Sequence, residues 1–284
     1  MNNIIVVGGK GQLGQCLEEK VKLANVNYNF IFLGSEDLDI KSPLKIVEVF
    51  AEHKPVYCIN CAAYTAVDQA EESSELAFEI NEYAVKLLAE ACLKFETVLI
   101  HISTDFVFNG DSSIPLTEDL ATNPVNIYGL SKLKGEQQIA ELMEQYFIIR
   151  TSWLYSEKAN NFVKTMLKLA QSRDELTVIY DQIGTPTYAM DLAEVIINII
   201  KRESKAFGLY HYSNEGVASW YDFAKAVFEF AEVDIQVMPV ASSAFVTKAR
   251  RPHYSVMDKT KIKVAFDLVI PYWRDSLNKC VQNI

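Results

Sequence analysis

The sequence predicts a doubly wound α/β fold, a Rossmann-like parallel sheet covered by helices on both faces, followed by a smaller C-terminal lobe. Three observations carry this. Short, continuously apolar runs alternate with stretches of helical length through the first half of the chain, as in a parallel sheet buried on both faces. A glycine-rich turn, Gly8-Gly9-Lys10-Gly11-Gln12-Leu13-Gly14, joins the first apolar run to the first helical stretch. At 284 residues and 50% hydrophobic composition, the chain can bury the core of a nucleotide-binding domain and a smaller unit beside it.

The elements follow in order. Ile4-Ile5-Val6-Val7 reads as a buried strand, and after the glycine turn a helix runs from about Gln12 to Leu23. Phe30 to Leu33 is a second strand; Ser42 then offers an N-cap with Pro43 in the first turn of a second helix. Val56 to Ile59 forms a third strand and Ser74 to Lys94 a long helix. Val98 to Ile102 and Tyr146 to Ile149 are the fourth and fifth strands, with the helix of Tyr128 between them. Beyond Arg150 the rhythm loosens. Helices are expected over Phe162–Gln171, Asp191–Lys201 and Trp220–Ala231, with short strands at 177–179 and 209–211. Residues 1–150 are thus expected to bind a dinucleotide and residues 151–284 mainly to form a substrate-binding lobe, some segments of which return to the first domain.

Composition narrows the function classes. A net charge of -10 argues against nonspecific binding to nucleic acid or anionic membranes. No apolar run approaches the roughly 20 residues of a bilayer span, and Met1-Asn2-Asn3 leads straight into a strand, leaving no room for a signal peptide. Five scattered cysteines give no disulfide framework and suit a reducing cytoplasm. Cys58-Ile-Asn-Cys61 spells C-x-x-C, but three residues along a strand turn the two thiols to opposite faces. The four histidines lack metal-ligand spacing, His101 reads as a buried strand residue, and no metal site is expected. Asp68, Glu71 and Glu72 open a helix and read as a solvated face.

The glycines at 8, 11 and 14 suit a tight turn, close approach of a pyrophosphate, and packing of helix on sheet. Lys10, Gln12 and Leu13 share that turn. No carboxylate stands at the tip of the second strand, Leu33-Gly34-Ser35, before Glu36. That leaves room for a 2′-phosphate held by Lys10 or Ser35, so NADPH is expected ahead of NADH. Asp39 and Ile40 fall where an adenine contact fits, and Ala62-Ala63-Tyr64-Thr65 follows the third strand at the sheet's carboxyl edge. Tyr128 and Lys132 lie four residues apart, which puts both side chains on one helix face. A free phenol keeps its proton to a pKa of about 10, and a neighbouring ammonium draws that down toward the working range of an acid.

With the glycine turn, Asn60-Cys-Ala-Ala-Tyr-Thr-Ala-Val-Asp68, Ser103-Thr-Asp-Phe-Val-Phe108, Tyr128 to Lys132, Arg150-Thr-Ser-Trp-Leu-Tyr155, Asn160-Asn-Phe162, Asp181-Gln-Ile-Gly-Thr-Pro186 and Arg251-Pro252, the chain resembles the extended short-chain dehydrogenases/reductases. Within that superfamily it is similar to the dTDP-4-dehydrorhamnose reductase family, along nearly its whole length. The resemblance implies NAD(P)H-dependent reduction of the C4 ketone of a dTDP-sugar, with Thr104, Tyr128 and Lys132 as the catalytic group. It further implies that Lys132 binds the nicotinamide ribose, that Trp153 and Asp105 contact the sugar, and that Arg251 meets the nucleotide diphosphate, a role for which Lys248 and Arg250 compete. Some relatives hold magnesium at a dimer interface with glutamates; Gln15, Met190 and Asp191 stand here instead, which argues against the ion and for a monomer or weak homodimer. Two alternatives stay open. A dehydratase or epimerase of the same superfamily is one, although such dehydratases carry Glu where Phe106 stands. A cofactor-binding regulatory subunit, as in the β subunit of methionine adenosyltransferase, is the other.

Overall fold

The computed structural model describes residues 1–24 and 26–284. Its first half alternates strand and helix: β1 (Asn2–Val7), α1 (Gln12–Leu23), β2 (Tyr28–Leu33), α2 (Pro43–His53) and β3 (Tyr57–Asn60). Next come α3 (Val67–Ala70), α4 (Ser74–Phe78), a π-helical turn (Glu79–Tyr83), α5 (Ala84–Lys94), β4 (Val98–Thr104), α6 (Ile127–Leu142) and β5 (Tyr146–Thr151). Ser42 caps α2 as expected, its hydroxyl accepting from the Lys45 amide, with Pro43 at the first helical position. The expected helix from Ser74 to Lys94 is present, interrupted by the π-helical turn.

The second half contains β6 (Leu154–Tyr155), α7 (Phe162–Ala170), β7 (Glu175–Ile179), β8 (Ile183–Gly184), β9 (Thr187–Tyr188), α8 (Ala189–Lys201) and β10 (Gly208–His211). It closes with β11 (Ala218–Ser219), α9 (Trp220–Phe230), β12 (Gln236–Val240), α10 (Thr260–Phe266) and α11 (Trp273–Gln282). Strand β10 crosses back and pairs in parallel with β5, giving a six-stranded sheet of order β10-β5-β4-β3-β1-β2.

Side chains alternate across the strands, so each strand feeds two cores. Ile4, Val6, Ile59, Ile100, Phe147 and Ile149 pack on one face with residues of α1 and α8. Ile5, Val7, Cys58, Leu99 and Ile148 pack on the other with residues of α2 and α5. Cys61 packs against the first core and Cys58 lies in the second, so the two thiols diverge. All strands of the sheet run the same way, so their carboxyl ends form one edge. There the glycine turn follows β1, Cys61 follows β3 and Thr104 ends β4. Ligands of open α/β sheets bind at this edge.

Candidate active site

Two cavities meet along the carboxyl edge. One, of about 460 Å³, is lined by Gly8, Lys10, Gly11, Ser35, Glu36, Asp39, Ile40, Ala62 and Ala63 among others. The second, of about 560 Å³, is lined by Gln12, Leu13, Thr65, Thr104, Asp105, Tyr128, Lys132, Trp153 and Arg251. Gly11, Cys61 and Ala63 border both, so the two form one trough. The sequence-predicted residues therefore converge, except that Gly14 and Tyr64 line neither cavity.

The glycine turn is built for close backbone approach. Gly8 has φ +74°, and a Cβ there would lie 2.7 Å from the Ala62 nitrogen. At Gly14 a Cβ would lie 2.4 Å from the Gly9 carbonyl oxygen, so Gly14 serves packing rather than contact with a ligand. Gly11 caps α1 without a side-chain hydrogen bond, and the free N–H donors of the first turn suit a pyrophosphate. The Gln12 side chain donates to the Leu154 carbonyl at 3.1 Å and accepts from Asn161 at 2.9 Å, tying the turn to the second half of the chain.

The expectation of a tip without a carboxylate needs correction. The turn after β2 curls back through Leu38 N–H to the Gly34 carbonyl and Gly34 N–H to Asp37. This folds Glu36 over Gly34, where an added Cβ would lie 2.6 Å from its carboxylate oxygen, and Glu36 ion-pairs with Lys10. An acid is thus present at the tip, two residues later in sequence than expected. Both partners are largely exposed, so the pair itself contributes at most about 1 kcal/mol.

At the other end of the trough, Thr104 closes β4 and its hydroxyl accepts from the Phe106 amide at 3.2 Å and donates to Asp105 at 3.1 Å. Asn126 caps α6 through the Gly129 amide at 2.7 Å, setting Tyr128 in its first turn. Gly129 is required there, because a Cβ would sit 2.1 Å from the Phe106 carbonyl oxygen. Phe106 meets the Tyr128 ring edge-on at a centroid distance of 5.6 Å. Burial pushes the Tyr128 phenol up to about 12, while a hydrogen bond with Thr104 draws it down and the Asp105 charge raises it. The expected lowering of this phenol by Lys132 is therefore not found. Lys132 Nζ, on the same face one turn on, donates to the Ile102 carbonyl at 2.7 Å and lies 3.3 Å from His101. Burial draws Lys132 down to about 8, against the opposing pull of Glu136.

Asp105 is 2% exposed, and burial raises its carboxyl to about 6 against hydrogen bonds from Ser255 and Thr104. Its Oδ2 is buried without a hydrogen-bond partner, at a residue that borders the second cavity. Trp153 adopts φ +47° and stacks on Trp220 at 3.6 Å and 8°, forming an aromatic wall. Arg251 forks onto Asp68 at 2.6 and 3.2 Å and donates to the Ala249 carbonyl. Asp68, Glu71 and Glu72 lie on a solvated face as expected, Glu71 and Glu72 exposed and Asp68 part-buried, but each also has a partner. Asp68 also accepts from the Ala249 amide, Glu71 from the Ile127 amide at the start of α6, and Glu72 pairs with Lys248. These acids tie the 248–251 segment and α6 to the edge of the trough.

Sequence reasoning missed the frame behind the catalytic face. Glu136, buried one turn beyond Lys132, takes a fork from Arg150 of β5 at 2.9 and 2.6 Å and a hydrogen bond from Ser103 of β4. Asn81, at the π-helical turn, accepts from the Tyr64 amide and donates to the Tyr64 carbonyl and to Ser131 of α6. The i, i+4, i+8 spacing of Tyr128, Lys132 and Glu136 is the one signal that pointed to part of this frame.

The region of Gln15 does not fit a magnesium bridge. The Gln15 amide donates to the Lys10 carbonyl, Glu18 and Glu19 pair with Lys22 and Lys158, Met190 is core, and Asp191 accepts from Asn214 and Ser276.

Comparison with known proteins agrees with this architecture. The family model described as the RmlD substrate binding domain matches residues 1–284. A dTDP-4-dehydrorhamnose reductase from Aggregatibacter actinomycetemcomitans is 39% identical, over 98% of this chain and 97% of that protein. The spore coat polysaccharide biosynthesis protein SpsK of Bacillus subtilis is 38% identical, over 99% of this chain and 98% of that one. A crystal structure of dTDP-4-dehydrorhamnose reductase from Bacillus anthracis in complex with NADP superposes with a TM-score of 0.95 at 39% identity, covering 100% of both chains. Matched from its first residue to its last, the chain belongs to the RmlD family, and several of its relatives are named dTDP-4-dehydrorhamnose reductase.

Proposed function

We propose that this protein reduces the C4 ketone of dTDP-4-dehydro-L-rhamnose to the alcohol of dTDP-L-rhamnose with NADPH, NADH serving as the weaker donor. The observation that carries the reading is the trough itself. It runs from a phosphate-adapted glycine turn to the Thr104, Tyr128 and Lys132 cluster, beside an aromatic wall and a carboxylate oxygen without a hydrogen-bond partner. In this reading residues 1–150 hold the dinucleotide and residues 151–284 mainly the sugar nucleotide. The enzyme works in the cytoplasm as a monomer or weak homodimer; among the described residues, no helix is long and apolar enough to cross a membrane.

NADPH, when bound, supplies the hydride. Tyr128 gives its proton to the oxygen that becomes the C4 hydroxyl. A phenol held near 12 keeps that proton at neutral pH, yet remains far more acidic than a sugar alcohol, so the transfer runs downhill. Thr104 hydrogen-bonds the same oxygen as charge develops on it. Lys132 holds the nicotinamide ribose. Asp105 accepts from a sugar hydroxyl through Oδ2, Trp153 covers the sugar ring, and Arg251 offers the diphosphate the N–H groups left over from Asp68 and Ala249. Phe106 provides no acid or base for dehydration, which favours reduction over loss of water.

The test is loss of nicotinamide absorbance with dTDP-4-dehydro-L-rhamnose and either NADPH or NADH, with the product identified by NMR. Turnover giving the rhamno-configured alcohol supports the reading. A protein that binds NADPH but turns over no 4-keto sugar refutes it and favours a regulatory subunit.

A further inference from the structure

The nearest side-chain nitrogen to Lys132 has a fixed polarity, and it is set from outside the catalytic face. The Ala62 amide donates to Asn60 Oδ1 at 3.0 Å, which commits the other end of the Asn60 amide to donating. That donor, Nδ2, lies 3.1 Å from Nδ1 of His101, so Nδ1 is the acceptor. His101 is fully buried, and burial holds it well below its usual pKa, so the ring is neutral and carries one proton. With Nδ1 accepting, that proton sits on Nε2, which faces Lys132 Nζ at 3.3 Å. An ammonium has no lone pair to offer it. A neutral amine accepts from Nε2–H and still donates to the Ile102 carbonyl at 2.7 Å. Turning Asn60 over would set its NH₂ against the Ala62 N–H, and so does not relieve the mismatch.

We propose that Asn60 and His101 form a tautomer lock that biases Lys132 toward the neutral amine in the free protein, and that Lys132 takes one proton from solvent as the dinucleotide binds. The step adds a proton to the amine lone pair and breaks no other bond. The new ammonium gives up the His101 contact and presents an extra N–H donor to the ribose hydroxyls. This rests on the reading that Lys132 meets the nicotinamide ribose. The groups around Lys132 are Tyr128 and Glu136 on α6, His101 on β4 and Cys61 after β3, with Arg150 behind Glu136 and Asp105 beyond Tyr128. Of these, Glu136 and Cys61 favour the ammonium, and burial opposes it. Asn60 and His101 are positioning residues in this scheme, since neither touches the reacting atoms.

Three readouts test the lock, and none needs the sugar, so they stand or fall apart from the proposed reduction. Long-range proton–nitrogen correlation NMR on histidine-labelled free protein at pH 8, with His101 assigned by its loss in His101→Gln, is expected to find the His101 proton on Nε2. Calorimetry of NADPH binding at pH 8.5 in buffers of differing ionisation enthalpy is expected to show net uptake approaching one proton. NADPH affinity is expected to fall by up to about tenfold per pH unit above the Lys132 titration. In Asn60→Asp both carboxylate oxygens accept, so the His101 proton moves to Nδ1 and Nε2 accepts from the ammonium. The basic limb of binding then shifts up by at least about one pH unit. A wild-type proton on Nδ1, binding without proton uptake, or an unmoved limb in a folded Asn60→Asp overturns the proposal.

Discussion

Glu136→Gln is the perturbation that most directly tests how the catalytic helix is held. Glu136 and Arg150 are both almost fully buried, and the carboxylate takes two N–H groups from the guanidinium and a hydroxyl from Ser103. The amide keeps the shape of the carboxylate but removes its charge, leaving the Arg150 guanidinium buried beside the neutral His211 ring at 3.4 Å and the Phe108 ring at 5.1 Å, with no anion to balance it. Stranding one member of a buried ion pair costs about 3–5 kcal/mol. Unfolding entropy of about 2.1 cal/mol/K per residue gives roughly 0.6 kcal/mol/K for a chain of 284 residues, so the Tm falls by about 5–8 °C. Differential scanning calorimetry reads this directly. The double variant Glu136→Leu with Arg150→Met, in which no charge is stranded, recovers a large part of the loss. A single variant within about 2 °C of wild type, or a double variant no better than the single, would refute the argument. Loss of Glu136 also removes the larger of the two influences that raise Lys132, so cofactor affinity weakens at a lower pH than in wild type.

Tyr128→Phe keeps the ring against Phe106 but deletes the transferable proton; single-turnover kinetics should show a loss of at least about 10²-fold with NADPH affinity retained. The Asp105 carboxyl, raised to about 6 by burial, is a better acceptor once ionised, so kcat/KM should rise with pH through about 6, and Asp105→Asn should abolish that limb. Glu36→Gln removes the carboxylate paired with Lys10 at the tip of β2, so steady-state assays should show tighter NADPH and weaker NADH; an unchanged ratio of the two would exclude Glu36 from cofactor choice. Because Glu18 and Glu19 are engaged by lysines and Gln15 by backbone, EDTA should change neither activity nor sedimentation, and a magnesium-restored dimer would contradict this.

What the sequence disclosed followed from local physics. Unbroken apolar runs marked the five strands of the first half, and the strand–glycine–helix junction located the dinucleotide end of the trough. A four-residue spacing joined Tyr128 to Lys132. Contacts spanning the chain left no such trace. The fork between Asp68 and Arg251 links positions 183 residues apart, and nothing in either neighbourhood distinguishes it from two solvated charges. Trp220 joins Trp153 only because α9 packs against that end of the trough. Strands β6, β8, β9 and β11 are two residues each, too short for a period, and α11 is polar along most of its length. The place of Glu36 failed for a different reason, since a turn's path decides where a side chain two residues on will point.

The π-helical turn at Glu79–Tyr83 makes the length of its helix unforgiving. A π turn carries extra chain within a helix, and its widened backbone lets the Asn81 carbonyl press so close to α6 that a Cβ at Gly135 would lie 2.1 Å away. Deleting one residue here would restore ordinary helical winding, and by every usual measure improve the helix. It would also remove the bulge that carries Asn81 out toward α6. Asn81 would then swing off both Tyr64 and Ser131. The segment is therefore indifferent to much of its surface chemistry but intolerant of a change in count, a constraint that substitution scanning would miss and deletion scanning would expose.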